Sequence, residues 1–190
     1  MGTLLLARHG ETDWNLHHRW QGSTGPGLNQ TGRRQAASLA SQLADLDAIY
    51  SSDTQRAYET AAIVAERLGL DVTTDERLGE VDFGEWEGLT RTEIDARFRE
   101  GFTRWAAGES PKPDGGESDP EMADRVLAAL GEIAGRHADG RVLVVTSGGP
   151  IRAAQARLRG VDQSRARRDL ATVGSCALVE VVVHDGVWTY

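Results

Sequence analysis

Short apolar runs alternate along the chain with longer stretches in which apolar residues recur at helical spacing. Residues 3–7, TLLLA, read as a buried strand. In TGRRQAASLASQLADL, Ala36, Leu39, Leu43 and Leu46 fall on one side of a helix, and Thr31 is the expected cap. AIYSS, 48–52, predicts a second strand. Ser52 and Gln55 then form a capping box for a helix that buries Ala57, Ala61, Val64 and Leu68. DVTT, 71–74, gives a third, marginal strand. The glycine- and acid-rich RLGEVDFGEWEG, 77–88, reads as a long loop, and Thr90 with Glu93 opens a helix expected to run to about Trp105. AAGESPKPDGGES is a turn-rich connection. Ser118 and Glu121 cap a helix that buries Met122, Val126, Leu130 and Ile133. RVLVVT, 141–146, is the clearest strand, and GPIRAAQARLRG follows as a helix with Pro150 in its first turn. CALVEVVV, 176–183, and VWTY, 187–190, predict a hairpin around HDG.

This alternation indicates a three-layer α/β/α architecture around a mainly parallel sheet. With neither an internal repeat nor a linker in view, residues 1–190 are expected to form a single domain. The chain is 39% hydrophobic and 26% charged, the balance of a soluble globular domain with its own core. A net charge of -8 argues against a partner bound through its nucleic-acid backbone, but a few arginines in a cleft still suffice for a small anion. The expectation is therefore no nucleic acid and no membrane. No run approaches the roughly 18 apolar residues of a span, GTLLLA lacks a basic leader, and Leu6 breaks the myristoylation pattern. A single cysteine, Cys176, excludes an intrachain disulfide and suits a cytoplasmic location. No interface stripe stands out, and a homodimer stays open.

Open α/β sheets place ligands at the carboxyl ends of their strands. Three such ends carry polar residues, in ARHGETDWN, SSDTQRA and TSGGP, so Arg8, His9, Ser51, Arg56, Ser147 and Gly148 are candidates to meet in one cleft. An imidazole whose near nitrogen is bonded to a backbone carbonyl keeps its far nitrogen unprotonated and nucleophilic toward phosphorus. Arg8 and Arg56 can grip phosphoryl oxygens through paired donors. Two other readings stand beside this one: a strand-end arginine in a surface ion pair, or a metal held by His9, Glu11 and Asp13. Loop 77–88 offers Glu80, Asp82, Glu85 and Glu87 as proton donors to a leaving alcohol, or simply as a solvated acidic face. Ser147 lacks the glycine two positions earlier that a serine-hydrolase elbow needs, since Val145 stands there. It reads instead as a hydroxyl and backbone donor to an anion or as part of a structural turn, with Gly148 and Gly149 offering amides at a helix start.

Together LLLARHGETDWN, HRWQGSTGPGLNQTGRRQA, SSDTQRAYETA, LGEVDFGEWEG and VVTSGGPIRA resemble, in order, the motifs of the histidine phosphatase, or phosphoglycerate-mutase-like, superfamily. The resemblance implies a mainly parallel sheet with one antiparallel edge. It implies His9 as the phosphorylated nucleophile, Arg8 and Arg56 on the phosphoryl group, and Glu80 as proton donor. Asn15, Gln21 and Gly22 would lie against the ester, and no metal or other cofactor would be needed. In the last motif Ser147 stands where the family carries a second histidine, so a neutral donor replaces a charged one. Arg152, His17 and His18 are the groups that can restore the charge. Gly25 stands near a family aspartate. The chain is short, and Arg97, Arg99 and Arg104 form no adjacent basic pair for a phosphoglycerate carboxylate, which favours phosphatase over mutase. The implied function is hydrolysis of a small phosphomonoester through a phosphohistidine on His9, with a small phosphorylated molecule as partner. The alternatives are a weakly active or inactive phosphate-ligand binding protein and a phosphoglycerate mutase.

Overall fold

The computed structural model describes residues 2–109, 112–184 and 187–189. In chain order the elements are β1 (Gly2–Arg8), α1 (Asp13–Leu16), α2 (Gln30–Gln42), β2 (Ala48–Ser51), α3 (Gln55–Leu68), β3 (Val72–Thr74), α4 (Arg91–Arg97), α5 (Arg99–Ala106), α6 (Asp119–Arg136), β4 (Arg141–Thr146), α7 (Gly148–Arg159), α8 (Ala166–Asp169), β5 (Leu178–His184) and β6 (Val187–Thr189). Among the described residues the strands form one sheet in the order β3-β2-β4-β1-β5-β6. The first four run parallel, with Leu5 opposite Leu143 and Ile49 also opposite Leu143. The antiparallel edge is a hairpin: β5 lies antiparallel to β1 and β6 antiparallel to β5. Asp185 and Gly186 of the expected HDG turn, and Tyr190, lie outside the described residues.

The continuous apolar character of β1 and β4 follows from helices covering both faces of the sheet. Leu4, Leu6, Val142 and Val144 pack on one face with Val126, Leu130 and Ile133 of α6 and Ile151 of α7. Leu5, Ala7, Leu143 and Val145 pack on the other with Leu39 of α2 and with Ala57, Ala61 and Val64 of α3. Period-two alternation thus sends neighbouring residues of one strand into two different cores. A third cluster adjoins the first through Phe83. Trp86, Ile94 and Phe102 are buried together, with Trp20, Phe83, Phe98 and Trp105 against them.

Three local expectations are corrected. Helix α2 is capped by Asn29, whose side chain accepts from the Gly32 N–H at 2.8 Å, and not by Thr31. Helix α3 starts after Thr54 without a side-chain cap; Ser52 bonds instead to Thr54, Oγ to Oγ1, at 3.0 Å. The helix expected from Thr90 to Trp105 breaks at Phe98 (φ -127, ψ 39), where the ring joins the aromatic cluster, so two short helices replace it. The capping boxes Thr90/Glu93 and Ser118/Glu121 are present as read.

Candidate active site

The carboxyl ends of β1 and β4 are locked side by side, since the His9 N–H donates to the Thr146 carbonyl at 2.9 Å. Helix α3 fixes the next residue, because Gly10 N–H donates to Thr60 Oγ1 at 3.0 Å, and Thr60 is itself tied to the Arg56 carbonyl at 2.8 Å. His9 is therefore held between two strands and a helix and is only 3% exposed. Its Nδ1 lies 2.7 Å from the Gly10 carbonyl, and its Nε2 lies 3.2 Å from Arg56 Nε. A guanidinium only donates, so Nε2 must be the acceptor and the ring proton sits on Nδ1, donated to Gly10. This is the tautomer that leaves Nε2 with its lone pair. Burial, and then the charge of Arg56, pull the His9 pKa down to about 3.

Arg56 is almost wholly buried. Its Nη1 and Nη2 donate to the carbonyls of Thr24 (2.9 Å) and Gly22 (2.7 Å). The turn at Gly22 is held by Glu87, which accepts from the Ser23 and Thr24 amides at 2.8 and 3.0 Å; a Cβ on Gly22 would come within 2.7 Å of the Val81 carbonyl. Arg8 Nη1 donates to the Val173 carbonyl at 2.8 Å, and its buried Nε has no partner among the described residues. Burial lowers the pKa of both arginines, and the charge of Glu80 raises both, so this carboxylate lies within coulombic reach of each.

Glu80 is set by a device that the sequence reading missed. Arg125 of α6 donates to the carbonyls of Arg77 (2.9 Å), Gly79 (2.9 Å) and Glu80 (2.8 Å), and it is ion-paired with Glu117. This single side chain splints the backbone on which Glu80 rides. At its far end the Glu80 carboxylate accepts from the Gly149 N–H at 3.0 Å and from Val81 N–H at 2.9 Å. A Cβ on Gly149 would come within 2.1 Å of Glu80 Oε1, so a side chain there would displace the carboxylate from this position. One of the two amides expected to be open at the start of α7 is thus already engaged.

Arg8, His9, Asn15, Gln21, Glu80 and Gly148 line one cavity of about 780 Å³. The Thr12 hydroxyl ties Asn15 and Gln21 together, at 3.1 Å from Asn15 Oδ1 and 2.9 Å from Gln21 Oε1. Arg56 sits behind this lining, against His9, and Gly22 is bonded to Arg56 in turn. Ser147 does not line the cavity: it is 1% exposed, and its Oγ has no partner among the described residues. Ser51 is also buried, with its hydroxyl on the Ser52 carbonyl. Of the groups named as substitutes for the missing charge, Arg152 lines the cavity, whereas His17 and His18 are exposed outside it. Arg97, Arg99 and Arg104 lie elsewhere. Besides Arg8 and Arg152, the basic residues Arg19, Arg167 and Arg168 line the cavity, the last two adjacent in sequence. The signal of those two was present in RARRD, but nothing local ties that segment to His9. Among the described residues no group of three or more His, Cys, Asp or Glu side chains is placed to hold a metal ion, and no helix is long and apolar enough to cross a membrane.

A neutral imidazole, the Arg8 guanidinium and a carboxyl share one concave space, with the Arg56 guanidinium directly behind the imidazole, a set of groups suited to phosphoryl transfer. Residues 4–190 match the family described as histidine phosphatase superfamily (branch 1). The chain is 39% identical over 170 residues to phosphoserine phosphatase 1 of Hydrogenobacter thermophilus, covering 87% of this chain and 80% of that protein. Its fold superposes on Bacillus stearothermophilus YhfR with a TM-score of 0.91 at 32% identity, covering 99% of this chain and 94% of that one. It also superposes on a mycobacterial glucosyl-3-phosphoglycerate phosphatase complexed with VO3, with a TM-score of 0.85 at 34% identity, covering 96% and 91%.

Proposed function

Because the chain belongs to the histidine phosphatase superfamily, we propose that it hydrolyses a small phosphomonoester through a phosphohistidine formed on His9, residues 1–190 acting as one unit. The observation that carries this reading is the tautomer: Nδ1 is committed to the Gly10 carbonyl, so Nε2 keeps its lone pair inside a site that also holds Arg8, Arg56 and Glu80. In the first step Nε2 attacks phosphorus and the ester P–O bond breaks. Glu80 gives a proton to the leaving oxygen. In the second step water attacks the phosphohistidine, the P–N bond breaks, and the Glu80 carboxylate takes the proton from water. Arg8 and Arg56 hold the nonbridging oxygens, and Arg56 Nε exchanges His9 for the phosphoryl group as it does so. Asn15, Gln21 and Gly148 line the path of the ester. The names of the relatives, phosphoserine phosphatase and glucosyl-3-phosphoglycerate phosphatase, support a small phosphate ester as substrate.

Ser147 favours a second reading. It stands where the family carries its second histidine and brings no charge, and its buried hydroxyl is unpartnered. Removal of one donor from a charge-stabilising site costs about 10²–10³ in rate in a comparable hydrolase. Arg152, lining the same cavity, is the cation available to offset that loss. If the offset is poor, the protein binds phosphate esters and turns them over slowly. Labelled ester, followed by trapping of an acid-labile phosphoprotein, separates the readings. The expected result is an adduct and steady release of phosphate, both abolished in His9→Ala. Undiminished release by His9→Ala would overturn the mechanism. Tight binding without adduct or release in the unsubstituted protein, with both restored by Ser147→His, would establish the binding role.

A further inference from the structure

The phosphoryl group needs only part of the positive charge in the cavity. Arg152, Arg167 and Arg168 also line it, and their states differ. Arg168 is committed to Asp169, with Nε 2.8 Å from the carboxylate. Arg152 donates from Nη2 to Thr172 Oγ1, while its Nε is buried and unpartnered. Arg167 is the most enclosed of the three, with its side chain 13% exposed. Its Nη2 is paired with Asp119, its plane lies over the Trp105 ring at 4.6 Å from the centroid, and its buried Nη1 has no partner among the described residues. Arg152 and Arg167 thus line the same cavity as Arg8, with Trp105 beside Arg167. Asp119 offsets one charge of this row, and a guanidinium N–H buried without an acceptor is costly until a ligand supplies one.

We propose that the alcohol portion of the substrate carries a second anionic group, a carboxylate or a second phosphate, seated on Arg167 and Arg152 beside Trp105. This specificity subsite rests on the phosphatase reading for the position of the first phosphate. Asp119 and Trp105 hold the guanidinium plane in place, so the donor that remains is presented already oriented, which limits the ordering entropy lost on binding.

Three matched three-carbon esters test it: glycerol 3-phosphate, 3-phosphoglycerate and glycerol 1,3-bisphosphate. Each is measured for phosphate release and, by calorimetry, for binding. The expected result is a preference of 10-fold or more for at least one of the two anionic members over glycerol 3-phosphate, in kcat/KM and in affinity; which of the two is preferred identifies the anion. In Arg167→Met that ratio should collapse toward unity, and in Arg167→Lys it should be intermediate, because charge remains but the fixed fork is lost. Arg152→Met serves the same purpose should Arg167→Met fail to fold. Equal handling of all three esters by the unsubstituted protein overturns the subsite and leaves the phosphatase reading standing. Preferential binding of an anionic member without any phosphate release overturns the phosphatase reading and leaves the subsite. Neither binding nor release for any ester overturns both.

Discussion

His9 is neutral because the fold forbids it a charge. It is buried against Arg56, so its pKa falls from the usual 6.5 to about 3. Below pH 6.5 the unfolded chain takes up a proton that the folded chain refuses until about pH 3. Stability therefore falls as pH drops through that window and is unaffected by this group above it. One such proton corresponds to a slope of about 1.4 kcal/mol per pH unit. Denaturant unfolding between pH 7 and 4 should show this slope in excess over His9→Gln, which keeps polar atoms but cannot take up the proton. Parallel pH dependences for the two proteins would show that the ring titrates normally. The same shift predicts that the ring of the ligand-free protein does not titrate by NMR between pH 5 and 8.

At the scale of elements, the loop that carries Glu80 is positioned from a helix. Arg125 bonds three successive parts of that loop, so its loss should misplace Glu80 more than it weakens ground-state binding. Arg125→Met is expected to lower kcat at least 10-fold with a smaller change in KM, and Arg125→Lys should recover part of it; steady-state kinetics decide. An equal rise in KM with kcat intact would mean that the loop serves binding instead. How much of this was legible in the sequence depends on the range of each interaction. The strands were legible because both sheet faces bury apolar side chains, and the Thr90 and Ser118 boxes because all their partners lie within three residues. The caps at Asn29 and Thr54 were misread because several residues close together offer a similar hydroxyl or amide oxygen, and only the tertiary path selects among them. The break at Phe98 answers to the aromatic cluster, which no helical periodicity records. His9, Arg8, Arg56 and Glu80 stand out in the sequence because each belongs to a recognisable local motif. Arg125, Arg152 as a cavity residue, and Arg167 acquire their roles from segments that meet only after folding.

Across the whole molecule, the aromatic cluster beside the cavity meets the core on one face of the sheet through Phe83. The aromatic cluster joins Trp20, from the segment after β1, to Phe83, Trp86 and helices α4 and α5, with Trp20 at 4.5 Å from Trp105 and 4.7 Å from Phe83 between ring centroids. Removing the buried ring in Trp86→Ala should cost roughly 3–5 kcal/mol locally and should unfasten this cap before the sheet. Hydrogen exchange should accelerate in residues 84–106 while β1 and β4 amides stay protected; uniform acceleration would show one cooperative unit. The sheet order has a further consequence for biosynthesis. β1 finds its neighbours only in β4 and β5, with Thr3 beside Arg141 and Gly2 beside Val183. A ribosome working from the amino terminus delivers β1 long before either partner exists. Until β4 emerges, the nascent chain has to keep Leu4–Leu6 from pairing with a neighbour on the same messenger, which makes this strand the natural place for a chaperone to hold.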